Sequence, residues 1–289
     1  MKILVVGGSG FVGRALTARL LEAAHEVEIW DRAPQAEAPG LRCQAVDLLG
    51  NDALPEPEGD PWDAAIHLAA YSVPGMAWNQ DLIFANLRMT ARVFDHLAAT
   101  APGCKAIFAS SAFVYVRGSR PIKETDPLDS SHPYALSKHL GEIWARSRQT
   151  SLNVFIVRPF NLIGPGMAAG LLVPDLVERI RSGENPLMMQ GRDDIRDFLD
   201  WRDAVEAYLH LLELDAPSGS VWNLCSGRPT RVSALVRALL QAHGLERTIQ
   251  FADPAVETMV GDSSCLLEAT GWSPRFSLDE TAKAIISLR

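Results

Sequence analysis

The sequence predicts an α/β fold: a doubly wound parallel sheet with a small C-terminal mixed α/β lobe. Three observations predict it. Short β-rich runs alternate with amphipathic helical stretches through the first half of the chain. Those runs are apolar at almost every residue, as strands are when both faces of a sheet are covered. Beyond about residue 162 the rhythm breaks at Gly164, Pro165, Gly166 and Gly170, and the later segments are shorter and more mixed.

The expected strands are Ile3–Val6, Val27–Trp30, Cys43–Val46, Ala64–Leu68, Ala106–Ala109 and Val154–Val157. Helical patterns at Phe11–Ala24 and Leu82–Thr100 lie between them, and Pro133 opens another helix. A helix over Asp203–Leu214 and a strand over Val221–Cys225 are expected to rejoin the sheet. The expected domains are therefore 1–161 with about 203–226, and a lobe from about 162–202 and 227–289.

Bulk properties narrow the function. The 289 residues are 47% hydrophobic and 21% charged, ordinary for a globular enzyme. A formal charge of −8 argues against a nucleic-acid partner, which needs a basic patch. Cys43, Cys104, Cys225 and Cys265 form no C-x-x-C pair and read as reduced core residues of a cytoplasmic protein. The seven histidines show no ligand spacing, so no metal is expected. "MKILVVGGSG" runs from strand into glycines and is not a signal peptide, and no apolar run approaches the ~20 residues of a membrane span.

The chemistry begins in "VVGGSGFVG". Gly7, Gly10 and Gly13 follow a strand and open a helix, with Phe11 and Val12 in its first turn. Such glycines let backbone N–H groups approach a pyrophosphate at the positive end of the helix dipole. Asp31, ending the second strand, suits a ribose and favours NAD, whereas Arg32 beside it suits the 2′-phosphate of NADP. Asp47, before Leu48, is placed either to reach an adenine edge or to cap its own turn.

"HPYALSKHLGE" sets Tyr134 and Lys138 at i and i+4, on one helix face. A nearby ammonium favours the phenolate of a tyrosine whose ordinary pKa is ~10, so the pair is suited to proton transfer at a carbinol oxygen. Ser110 and Ser111 end a strand at the edge where parallel sheets bind ligands. A hydroxyl there can hold the reacting oxygen beside Tyr134. Asn86 can cap its helix. Trp201 and Trp222 read as packing aromatics, and Arg179, Arg181, Arg192 and Arg202 as solvated faces.

The ordered set of G-x-x-G-x-x-G, "HLAA", "SSAFVY", "YALSK" and "RPFN" resembles the extended short-chain dehydrogenase/reductase family, essentially end to end. That resemblance implies a Rossmann domain binding NAD or NADP and a substrate lobe, acting on nucleotide-activated sugars. It puts Ser111, Tyr134 and Lys138 on the catalytic triad, with Ser110 supporting Ser111 and Asn86 near the active site; Ala69, Ala70 and Pro159 along the cofactor; and Ala112, Asn161 and Arg196 at the sugar nucleotide. It also implies a homodimer through helices at 82–100 and 134–148. Dehydratases of this group carry Asp-Glu where this chain has Ala112 and Phe113, so dehydration is not expected. The C-terminal segments resemble GDP-4-keto-6-deoxymannose reductases more than UDP-glucose 4-epimerases. A 4-keto-sugar reductase is the leading expectation, a 4-epimerase the alternative and a non-catalytic NAD(P)-binding scaffold the third. Two departures stand out: Val116 replaces a usual Gly, and Glu257 or Thr258 lies where an arginine often grips the diphosphate.

Overall fold

A computed structural model of the chain describes residues 1–72 and 80–287. In order, the elements are β1 (Lys2–Val6), α1 (Phe11–Glu22), β2 (Glu26–Asp31), β3 (Leu41–Ala45), β4 (Ala64–His67), α2 (Gln80–Thr100), β5 (Lys105–Ala109), α3 (Pro133–Arg146) and β6 (Asn153–Pro159). There follow β7 (Asn161–Ile163), α4 (Leu172–Arg181), β8 (Leu187–Arg192), β9 (Ile195–Asp200), α5 (Trp201–Glu213) and β10 (Ser220–Leu224). The chain then runs through β11 (Pro229–Arg231), α6 (Val232–Ala242), β12 (Ile249–Asp253), β13 (Thr258–Met259), α7 (Ser264–Thr270) and α8 (Leu278–Ser287). The expected elements are present with ends moved by a residue or two, the third strand starting earliest, at Leu41.

Two compact units divide the chain. The first comprises Met1–Val114, Leu128–Pro159 and Val205–Trp222. Its seven-stranded sheet has the order β10-β6-β5-β4-β1-β2-β3, and every pairing from β3 across to β6 is parallel. The order reverses between β1 and β4, the topological switch point of a doubly wound sheet. Alternation along β1 explains its wholly apolar sequence. Leu4 and Val6 join a core with Met89, Val93, Phe94 and Leu97 of α2, which leaves Ile3 and Val5 for the opposite face, also fully buried.

The second unit comprises Tyr115–Pro127, Phe160–Ala204 and Asn223–Arg289. It contains the sheet β11-β9-β13, with β7 also on β9, and the parallel pair β8–β12. Val173, Leu176 and Ile180 of α4 share its core with Leu235, Val236 and Leu239 of α6. Residues 115–127, expected with the first domain, belong here instead. Tyr115 Oη donates to Asn223 Oδ1 at 2.7 Å, and Ile122 N donates to Val260 O at 2.8 Å. Those bonds satisfy a loop that would otherwise leave polar backbone unpaired.

Lys105 shows how a helix end is tied to the sheet of the first unit. Its Nζ donates to Leu211 O, Leu212 O and Leu214 O at 3.2, 2.5 and 2.6 Å, the orphan carbonyls at the end of α5. Lys105→Met keeps the stem and removes these bonds. It should lower unfolding stability by ~1–2 kcal/mol, read as a fall in Tm, and an unchanged Tm would show that solvent already serves those carbonyls.

Candidate active site

The glycine loop leaves β1 at the switch point. Gly7 has φ +86°, and a Cβ there would lie 2.7 Å from Ala69 N. A Cβ on Gly13 would lie 2.3 Å from Gly7 O, so the turn closes only with glycine. Gly10 caps α1 without a side chain, and the first helical bond runs from Arg14 N to Gly10 O. The N–H groups of Phe11, Val12 and Gly13 therefore precede that ladder and are available to an anion. Ser9 Oγ is buried and has no partner among the described residues. A loop closed to a Cβ at Gly7 and Gly13, carrying a buried Ser9 hydroxyl without a partner among the described residues, fits a dinucleotide diphosphate.

Asp31 Oδ1 accepts Ala33 N at 3.5 Å, closing the turn after β2. Its Oδ2 accepts Ser9 N at 3.1 Å, which holds the loop against the end of β2. Arg32 is exposed, with its guanidinium 5.7 Å from the Tyr71 ring centroid and Nη1 3.4 Å from Tyr71 Oη. Asp47 accepts Leu49 N at 2.9 Å, so the turn-capping role is realised. Leu48 is buried in the core, while Ala69 and Ala70 follow β4 and Pro159 ends β6, all half-buried at carboxyl ends of strands.

Ser110 and Ser111 leave β5 at the same edge. The phenol of Tyr134 bonds to the Ser111 hydroxyl. Ser111 Oγ also accepts Phe113 N at 3.2 Å, so one hydroxyl both caps the turn and meets the tyrosine. The Phe113 ring lies edge-on to Tyr134 with centroids 6.1 Å apart, shielding one side. Burial pushes the Tyr134 phenol up to about 12, and the Ser111 bond pulls against that rise. The expected phenolate is thus overridden by desolvation, and the phenol is protonated at neutral pH. Tyr208 of α5 is also pushed up, by burial and then by Tyr134.

Lys138 is buried, with Nζ donating to Ala109 O at 2.7 Å and lying 6.0 Å from the Tyr134 ring centroid. Burial lowers its pKa to about 8, and the nearby Glu142 carboxylate opposes that fall. His67 of β4 is lowered to about 3 by burial and then by the Lys138 charge, so it stays neutral, stacked 5.8 Å from Phe108. At the start of α3, His132 Nδ1 accepts Tyr134 N at 3.2 Å and caps the helix, with Pro133 in its first turn.

Asn86 lies inside α2 and is no cap. Its Oδ1 accepts Tyr71 N at 2.8 Å, and its Nδ2 donates to Tyr71 O at 3.1 Å and Ser137 Oγ at 3.0 Å. It ties the end of the β4 connection to α3. The sequence reading misses Glu142 and Arg158, which form a bidentate pair with side chains 3% and 4% exposed. The available signal was Glu142 at i+4 from Lys138, together with a lone arginine ending an apolar strand.

In the second unit, Asn161 Nδ2 donates to Asp197 O at 2.8 Å, and Arg196 pairs with Asp194 at 3.2 Å. Glu257 is clamped between Arg117 and Arg192, so the carboxylate that replaces an expected arginine is compensated. Arg179 pairs with Glu184, and Arg202 lies 3.5 Å from the Phe276 ring centroid while gripping Asp200. Neither is merely solvated. Trp201 and Trp222 are buried, as packing aromatics are.

A family model, "NAD dependent epimerase/dehydratase family", matches residues 3–225. The chain is 31% identical over 310 residues to GDP-6-deoxy-D-mannose reductase of Pseudomonas aeruginosa, covering 99% of this chain and 96% of that protein. It is 26% identical to UDP-glucose 4-epimerase of Bacillus subtilis, over 97% of this chain and 94% of that protein. The solved structure of RMD from Pseudomonas aeruginosa complexed with NADPH superposes with TM-score 0.84 and 30% identity, over 99% of this chain and 98% of that one. On the family match and the full-length identity, this chain belongs to the NAD dependent epimerase/dehydratase family, the extended short-chain dehydrogenases/reductases, and is an NAD(P)-dependent enzyme.

Proposed function

We propose that the chain reduces a 4-keto-6-deoxy-sugar nucleotide, with Ser111, Tyr134 and Lys138 as its catalytic residues. The carrying observation is a protonated phenol bonded to a serine at the carboxyl edge of β5, beside a lysine fixed by Ala109 O. Bound NAD(P)H supplies the hydride. Tyr134 gives its proton to the carbonyl oxygen as that oxygen gains charge, Ser111 holds the oxygen, and Lys138 stabilises the phenolate left behind. Ala112 is 1% exposed and Phe113 is aromatic, so the corner supplies no second acid or base of the kind dehydration needs.

Gly7, Gly10, Phe11, Val12 and Gly13 would hold the diphosphate, Asp31 and Arg32 the adenosine ribose, and Asp47 and Leu48 the adenine side. Ala69, Ala70 and Pro159 would line the path to the nicotinamide, whose ribose Tyr134 and Lys138 would bind. Asn161 and Arg196 are assigned to the sugar nucleotide on their motifs. The similarity to GDP-6-deoxy-D-mannose reductase supports a GDP-sugar. A 4-epimerase is the second reading, favoured by the Asp31 carboxylate that suits NAD. The cysteines at 43, 104, 225 and 265 are unpaired, which supports a reducing, cytoplasmic setting. Among the described residues no helix is long and apolar enough to cross a membrane.

With GDP-4-keto-6-deoxymannose and NADPH or NADH, the reductase should consume reduced cofactor stoichiometrically, read in the near-ultraviolet. Interconversion of a UDP-sugar without net consumption would replace this reading with the epimerase. Tyr134→Phe should lower kcat ~100- to 10,000-fold and weaken cofactor binding far less, and Ser111→Ala should lower kcat ~100-fold with cofactor Kd nearly unchanged. Equal loss of binding would overturn the assigned roles.

A homodimer through α2 and α3 is also proposed. Phe84 on α2 and Ile143 on α3 are 64% and 55% exposed, unusual for large apolar side chains on two helices. Phe84→Glu with Ile143→Glu should convert a dimer to a monomer in sedimentation velocity. A wild-type monomer would refute the interface.

A further inference from the structure

A closed ring of buried polar contacts lies behind the catalytic pair, and the chemistry above does not use it. Arg158 leaves β6 and grips Glu142 on α3, Nε to Oε1 at 2.9 Å and Nη2 to Oε2 at 2.6 Å. Glu142 Oε1 also accepts the Ser110 hydroxyl at 2.5 Å. Ser110 N donates to Val157 O at 2.8 Å, which returns the circuit to β6 beside Arg158. Ring members are nearly inaccessible, Ser110 at 4%, Glu142 at 2% and Arg158 at 3%.

Burying an ion pair is weak evidence for stability, because desolvation offsets the attraction. Its location is the better clue. Ser110 sits between Ala109, whose carbonyl holds Lys138, and Ser111, whose hydroxyl holds Tyr134. Glu142 is one helical turn beyond Lys138 on the same face. We propose that Arg158, Glu142 and Ser110 are positioning residues that fix the β5 corner against the catalytic helix and supply the negative charge facing Lys138. This deepens the proposed function and rests on Tyr134 and Lys138 being its proton-transfer pair.

The charge argument has a sign. Burial lowers Lys138 to about 8 and Glu142 raises it, so removing the carboxylate brings deprotonation of the ammonium to lower pH. The other titratable or charged groups at the pair are His67 of β4, already neutral, Arg158 of β6, Tyr208 of α5 and His132 before α3. Reduction needs the ammonium charged and the phenol protonated, so the alkaline limb of kcat should shift to lower pH.

The test is the kcat–pH profile for GDP-4-keto-6-deoxymannose and NADPH. Glu142→Gln alone would strand a buried guanidinium, so Glu142→Gln is paired with Arg158→Met. Glu142, and not Arg158, is the charge acting on Lys138, so this double variant should move the alkaline limb to lower pH and lower kcat. Arg158→Lys keeps the charges and should leave the limb in place. Ser110→Ala leaves the ion pair whole and should lower kcat about tenfold with both KM values nearly unchanged, since only the corner is loosened. Wild-type kcat in Ser110→Ala and an unmoved limb in the double variant, with lower Tm alone, would make the ring structural and overturn the proposal. Tyr134→Phe is the control for the reading beneath it: full activity there would remove the catalytic pair itself, whereas an inactive Tyr134→Phe with normal ring variants would refute only the ring.

Discussion

The site depends on how the chain leaves β5. Three consecutive residues at that exit each hold a different partner: Ala109 O takes Lys138, Ser110 takes Glu142, and Ser111 takes Tyr134. All three partners lie on α3 at successive turns, so one strand end and one helix face define each other. The sheet makes this possible. Parallel strands end together at one edge, and there the backbone is released from the ladder to meet side chains. A helix laid across that edge at the period of 3.6 offers one residue per turn to it.

Burial and pairing compete at this corner, and burial leads. The Tyr134 phenol is held protonated and the Lys138 ammonium is brought within reach of neutral pH, each mainly by loss of water. Such a pair suits donation of a proton better than its removal. A reductase starts from a protonated phenol, whereas an epimerase must first take a proton from a sugar hydroxyl. The reduced nicotinamide ring is neutral and leaves the phenol as it is; the positive ring of the oxidised cofactor would favour phenolate. Under the proposed roles, the same residues would serve either direction according to the redox state of the bound cofactor.

Most of the fold was legible because it is written in local patterns. Apolar runs such as "KILVV" and "KAIFA" can form only strands covered on both faces, and the glycine loop can form only the turn that follows the first of them. Tyr134 and Lys138 were legible for the same reason, as a helical spacing. Glu142 and Arg158 were not. Their meaning comes from a contact between α3 and β6, sixteen residues apart in sequence, which no local period encodes. Asn86 was ambiguous in sequence because an asparagine can cap a helix or bridge two segments; only its depth within α2 decides. The segment 115–127 was misplaced because its partners, Asn223 and Val260, lie a hundred or more residues away.

The same limit applies to Glu257. In sequence it is a carboxylate where a cation is useful. In the structure of the second unit it is one member of a cluster in which Arg117, Arg192 and Arg196 face Glu257 and Asp194. With Asp253 also acting on Arg192, three guanidinium groups meet three carboxylates and the cluster is charge-balanced. These pairs are partly exposed, so they add little to stability, but they fix where the guanidinium planes lie. Glu257 is therefore held by arginines contributed by other segments, a compensation that its position in the sequence does not show.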